Sequence, residues 1–247
     1  MGAEIDVSVC AHGQVRVVQP QGVLTERTGT QLCRALAREL LNHHRVVVDL
    51  DGFELARTSC VTVFPAALDQ CGGWPRVRLV LCRPDQRMAQ ALEQRRVSAL
   101  VPVYQLLLEA EKAIERRPAL VRTRTQLGCD DRAADVAGRL VRDTCTMWQV
   151  NPEAQQIAEL VVGELVDNVV RHAHTAAVLT LEQGDRGLRI AVRDAASRGL
   201  LSGPSQGDIG ARRPGRGLEL VARLATSWGV EMHPVGKTVW AQIAHST

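Results

Sequence analysis

The chain has 247 residues, which at about 150 residues per domain makes one large domain or two small ones. Hydrophobic residues make up 45% and charged residues 23%, the balance of a globular protein, which excludes a disordered or collagen-like chain. The net charge is only +3, with 15 basic and 13 acidic residues up to residue 117 and 15 and 14 beyond it, so no basic tail marks nucleic acid as the main partner.

No apolar run reaches the roughly 18 residues that a membrane helix requires. The segment Met1 to Cys10 carries Glu4 and Asp6 and has no apolar stretch, so no signal peptide is expected and the cytoplasm is the expected compartment. Aromatic residues are 3%, so the core must be built from Leu, Val and Ala. Arginine supplies 28 of the 30 basic residues, and the two lysines are Lys112 and Lys237. The cysteines (10, 33, 60, 71, 82, 129, 145) are odd in number and lack C-x-x-C spacing. They read as reduced thiols, mostly buried, rather than as a zinc or redox pair.

In chain order, Glu4–Val9 and Val15–Gln19 read as short strands around a turn. Thr25 to Leu41 has the helical period, with Leu32, Leu36, Leu40 and Leu41. Val46–Leu50 is a β-branched run suited to a buried central strand. Ser59 to Cys71 reads as a helix, Val77–Cys82 as a strand and Arg83-Pro84-Asp85 as the start of a helix to about Arg95. A short strand at Val101–Val103 and a helix from Tyr104 to about Ile114 follow. This alternation indicates an α/β layer domain. Arg116-Arg117-Pro118 breaks the pattern, which divides the chain into 1–116 and 117–247.

Leu120–Gln126 reads as a strand, and Asp130-Asp131 precedes a helix to about Trp148. Asn151-Pro152-Glu153 supplies an N-cap, a first-turn proline and an acid for a helix to about Ala173. Ala177–Glu182, Leu188–Val192, Trp228–His233 and Thr238–Ala244 read as strands, and Gly217 to Thr226 as a helix. Residues 196–214 read as a long flexible loop, usually a functional feature in a compact domain. The order is α+β.

Chemistry concentrates in the second half. Glu164, Asn168 and His172 lie four apart and share one helix face, with Leu160, Val161, Leu165 and Val169 on the adjacent apolar side. A carboxylate and a carboxamide one turn apart offer oxygens to a hard cation, and phosphate-bound magnesium needs only one or two from the protein. The same spacing fits a polar stripe on a surface helix. Asp194 ends an apolar strand, where its carboxylate can accept from the exocyclic amine of a purine. Gly215-Arg216-Gly217-Leu218 opens a helix, where bare backbone N–H groups suit phosphate oxygens. Gly236-Lys237-Thr238-Val239-Trp240 enters the last strand.

In this order, these segments resemble the GHKL nucleotide-binding family. Glu164 to Ala173 is similar to its N box, Val192-Arg193-Asp194 to its adenine-binding aspartate segment and Gly215 to Leu218 to its second glycine box. Trp228-Gly229-Val230 followed by Gly236 to Trp240 resembles the actinobacterial anti-sigma-factor, serine-kinase-like branch. The resemblance spans about 118–244 and implies an α+β two-layer (Bergerat) sandwich that binds ATP and magnesium. It further implies that Asn168 ligates magnesium, Glu164 orients or activates the attacking hydroxyl, and Asp194 reads adenine with Thr238 in support. Arg216 and the backbone of Gly215 and Gly217 would meet the phosphates. His172 would either face the phosphates or simply end the helix, where a cation suits the dipole. One departure is that Ala196 stands where the family's first glycine box has a glycine, which hinders close backbone approach to adenine.

Residues 3–115 resemble the STAS domain of anti-sigma-factor antagonists, an α/β fold with a mixed sheet and helices. The likeness rests on Val46 to Phe53 and on Arg57-Thr58-Ser59-Cys60-Val61, where the family has Asp-Ser-Ser-Gly-Leu. Ser59 falls on the family's phosphorylated serine, while Arg57 and Cys60 replace the acid and the glycine. A Thr or Ser at a helix start is also the ordinary N-cap. Together, the two resemblances imply a partner-switching regulator of transcription. Its partners would be a sigma factor or another STAS-domain protein, with homodimerisation expected from the GHKL branch and no membrane contact. Two activities stay open: a serine/threonine kinase using Mg-ATP, or a catalytically inactive module whose nucleotide state sets partner affinity.

Overall fold

The computed structural model describes residues 5–172, 175–194 and 216–244, with His172 and Arg216 by backbone alone. The chain divides into two units, Met1–Arg122 and Thr123–Thr247.

The first unit opens with β1 (Asp6–His12) and β2 (Val15–Leu24), then α1 (Glu26–His43) and β3 (Arg45–Asp49). Next come β4 (Phe53–Leu55), a 3-10 turn over Thr58–Thr62, α2 (Val63–Gln70) and β5 (Arg78–Cys82). It closes with α3 (Gln86–Gln94), α4 (Val97–Leu100), β6 (Val103–Tyr104) and α5 (Leu107–Ala113). The sheet order is β1-β2-β3-β5-β6, with β4 also on β2. β1 runs antiparallel to β2, and the other pairs are parallel, so the sheet is mixed. β3 is a near-continuous apolar run because helices cover both of its faces. Val46 and Val48 join Leu32, Leu36, Leu40 and Phe64 in the main core. Val47 joins Val17 and Val80 beneath Ala110 and Ile114 on the opposite face.

Local chemistry explains the helix starts. Thr25 caps α1 in a reciprocal box with Thr28. Asp85 caps α3 through the Met88 amide at 2.6 Å. The helix expected over 59–71 is divided: a 3-10 turn precedes α2. The expected strand at 101–103 is displaced to Val103–Tyr104, behind the short α4.

β7 (Val121–Leu127) spans the division at Arg122, and the second unit continues with α6 (Ala133–Trp148), α7 (Pro152–His172), β8 (Ala177–Gly184), β9 (Gly187–Asp194), α8 (Arg216–Leu224), β10 (Ser227–Met232) and β11 (Lys237–Ile243). Its sheet order is β10-β11-β9-β8-β7, antiparallel in every pair with a described register. β8 alternates strictly between buried and half-buried residues, as expected of a sheet with one covered face. Buried Leu179, Leu181, Ile190, Val192, Val239 and Ala241 from the sheet, and Ala158, Val161, Leu165 and Val169 from α7, form the apolar interior. Leu160 departs from the expected apolar side and is 55% exposed. One residue step on a helix is about 100° of rotation, which turns Leu160 away from the sheet while Val161 points into it.

Candidate functional site

Asn151 starts α7 as expected, its Oδ1 accepting from the Glu153 amide at 2.8 Å. The apolar residues Val161, Val162, Leu165, Val166 and Val169 then fix the helix rotation by burial. That rotation leaves Glu164 and Asn168 one turn apart and only partly buried. His172 is the last residue of α7.

α8 packs against α7. Gly217, at its second position, lies so close that a Cβ there would overlap Oε2 of Glu164. The carboxylate therefore sits at the N-terminal turn of α8, where the helix dipole favours negative charge. Glu164 and Gly217 are thus neighbours. Gly215 and the loop at 196–214, with Ala196, lie outside the described residues, as do the side chains of Arg216 and His172.

A second cluster stands at the end of β9. Asp194 is 1% exposed. Its Oδ1 accepts from the Lys237 amide at 3.1 Å, and the Lys237 ammonium lies 3.9 Å from Oδ2. Gly236 has φ +78, and a Cβ there would overlap the Asp194 carbonyl oxygen. This position admits only glycine, both for its backbone angle and for its close approach. Thr238 is buried, and its hydroxyl shares a 2.8 Å hydrogen bond with Nε2 of His233. The aspartate and the threonine expected to serve adenine are thus held by Lys237 and His233. Lys237 was marked in the sequence as one of two lysines, whereas His233 gave no signal: only the β10–β11 turn carries it to Thr238.

The described residues fit a nucleotide with magnesium. Glu164 and Asn168 present two side-chain oxygens on one face, enough for a cation bound mainly by phosphates. The cradle at Gly217 is one that any larger residue would fill.

Ser59 belongs to the first unit. It is exposed in the 3-10 turn, whose N-cap is Arg57 with no side-chain cap. The ordinary capping role of a helix-start Thr or Ser is therefore not used, and the carbonyl of Ser59 accepts from the Thr62 hydroxyl at 2.9 Å. The Arg57 guanidinium lies 3.5 Å from the Glu26 carboxylate, with both side chains exposed. Such a pair is weak and easily exchanged.

Residues 130–243 match the family model described as the histidine kinase-like ATPase domain. The matched stretch lies in the second unit. The RsbU and RsbW domains of a Mycobacterium tuberculosis protein are 14% identical with a TM-score of 0.38, over 51% of this chain and 33% of that one. An anti-sigma factor antagonist from Mycobacterium paratuberculosis is 19% identical with a TM-score of 0.38, over 44% of this chain and 93% of that one. The SiaB-SiaC complex from Pseudomonas aeruginosa gives 14% identity and a TM-score of 0.38, over 56% of this chain and 96% of that one. The chain therefore spans a third of the first of these structures. No curated protein matches it. Among the described residues, no helix is long and apolar enough to cross a membrane.

Proposed function

We propose that the chain is an ATP-dependent partner-switching regulator of transcription in the cytoplasm, in which an anti-sigma-type serine-kinase-like module is joined to an antagonist-like STAS module. The observation that carries this reading is the close approach of Gly217 to Glu164, one helical turn before Asn168, where α7 packs on α8 within the stretch that matches the histidine kinase-like ATPase domain. Asp194 would accept from the adenine amine, with Thr238 in support. Asn168 would hold magnesium, which when bound to the phosphates neutralises their charge. The amide of Gly217 would meet a phosphate oxygen, joined by Gly215, Arg216 and His172. Glu164 would take the proton of a serine hydroxyl as its oxygen bonds to the γ-phosphorus and the bond to the β-phosphate oxygen breaks. The acceptor would be Ser59, exposed and uncapped, or the equivalent serine of another STAS protein. A sigma factor or such a STAS protein would be the partner exchanged, and the module would act as a homodimer.

A second reading is a nucleotide-dependent binding module without phosphoryl transfer. The observation favouring it is that Ala196 stands where the family's first glycine box has a glycine, and Arg57 and Cys60 replace the acid and the glycine around Ser59. Incubation with magnesium and γ-labelled ATP, for wild type, Glu164→Ala and Ser59→Ala, decides between them. Label on this chain or on an added STAS protein, abolished by Glu164→Ala, supports transfer. Saturable ATP binding with no label supports the binding module. Label persisting in Ser59→Ala removes Ser59 as the only acceptor, and failure to bind ATP overturns both readings.

A further inference from the structure

Away from the nucleotide site, three chemically active side chains meet on the first unit. Cys10 and His12 are two apart on β1 and therefore share one face. That face is the one covered by α5, because Cys10 pairs in register with Val17 and His12 with Val15, both in the cluster beneath α5. Sγ of Cys10 lies 3.7 Å from Nε2 of His12. Nδ1 of His12 lies 2.7 Å from Oε1 of Glu111, on α5. A carboxylate only accepts, so Nδ1 carries the ring proton and Nε2 presents its lone pair to the thiol. The thiol also lies 3.8 Å from the Val17 carbonyl oxygen, a weaker alternative acceptor.

This is a nucleophile, a base and a group that orients the base, in the order that activates a thiol. β1 is the edge strand of its sheet, and Cys10 is exposed, so a small molecule can reach the sulfur. The buried cysteines differ: burial pushes the thiols of Cys82 and Cys145 up to about 12, which keeps them protonated and inert. Cys129 is exposed too, but among the described contacts it has no histidine beside it.

We propose that Cys10, His12 and Glu111 form a thiol-exchange site that takes a low-molecular-weight disulfide. His12 Nε2 takes the Cys10 proton, and the thiolate attacks one sulfur of R–S–S–R. The Cys10–S–R bond forms as the R–S–S–R bond breaks. The departing thiolate recovers the proton from His12 and leaves as R–S–H, so Cys10 is oxidised to a mixed disulfide and one half of the reagent is reduced. Glu111 is a positioning residue that holds the ring in its tautomer.

The test uses the full chain and cystamine at neutral pH, following the mixed disulfide at Cys10 and Cys129 by peptide mass spectrometry. Cys129 serves as the reference within the same molecule. Cys10 is expected to react at least about tenfold faster than Cys129, and His12→Ala to bring the two rates together, because a base within reach of the thiol takes its proton as the sulfur attacks. Added imidazole should restore the rate of His12→Ala, an effect that a merely structural histidine would not show. Glu111→Gln should fall several-fold, between wild type and His12→Ala. Equal rates at Cys10 and Cys129 in the wild-type chain, or an unchanged Cys10 rate in His12→Ala, would overturn the proposal.

Discussion

At the scale of single residues, two positions have consequences that a measurement can isolate. Gly217 has no room for a Cβ beside Glu164, so Gly217→Ala must push the carboxylate or α8 aside. The obstructing atom is the far end of a flexible side chain, so the carboxylate turns aside at little cost to the fold. Because the displaced carboxylate stands at the proposed phosphate contact, ATP affinity should drop at least tenfold, measured by titration of Trp228 and Trp240 fluorescence. A Kd within twofold of wild type would remove Gly217 from the site. The second position is Asp49, which is 1% exposed. It accepts from Arg83 Nε at 2.9 Å and a second Arg83 nitrogen, from Gln19 at 3.0 Å and from the Asp51 amide at 3.3 Å. Burial alone pushes its carboxyl up, but the Arg83 and Gln19 hydrogen bonds, the Asp51 amide and the Arg83 charge outweigh burial and hold it below the ordinary value. A lowered folded value stabilises the fold above the unfolded value, near roughly 4, and this stabilisation is lost as pH falls through the folded value. Arg83→Ala should therefore cost about 2–4 kcal/mol in urea unfolding at pH 7, less than a fully buried pair because Arg83 is 38% exposed. The gap to wild type should close as the pH is lowered below about 4.

At the scale of elements, α7 shows how far sequence reading reaches. Its cap, its length and its apolar face apart from Leu160 are legible because Asn-Pro-Glu is a start signal and the period of valines and leucines marks the buried side. Asn151→Ala should lower stability by about 1 kcal/mol, read as a shift of the urea midpoint at unchanged slope. The proximity of Glu164 to α8 is not legible in the sequence, since no periodicity links residues 164 and 217. β4 went unread because three residues, one of them the exposed Glu54, give no pattern. The 3-10 turn at Thr58–Thr62 has the sequence of an ordinary helix start, because tightening of a first turn leaves no mark in composition. His233 was missed for a related reason: its bond to Thr238 crosses a turn, and pairings of that kind are set by strand register rather than by local preference.

At the scale of the whole molecule, the two units carry separate cores, and the proposed nucleotide contacts all fall in the second. Saturating Mg-ATP should slow amide exchange in α7, β9 and the start of β11, and leave β3 and β5 of the first unit unchanged. Hydrogen exchange read by mass spectrometry checks this, and protection confined to the first unit would contradict it. The sheets differ in a way that reaches beyond the finished structure. Neighbours β8 and β9, and β10 and β11, are consecutive antiparallel hairpins, whereas β2, β3 and β5 pair in parallel across intervening helices. Assembly slows as the sequence separation of contacts grows. Among the pairs with a described register the longest separation lies in the second unit, where β9 pairs with β11, from Arg193 with Thr238 to Leu188 with Ile243, so closing that pair is the slow step when the chain refolds after dilution from denaturant. Until it closes, Leu188, Ile190 and Val192 of β9 stay open to other chains along that edge, so dilution and low temperature at that moment decide the yield of native protein.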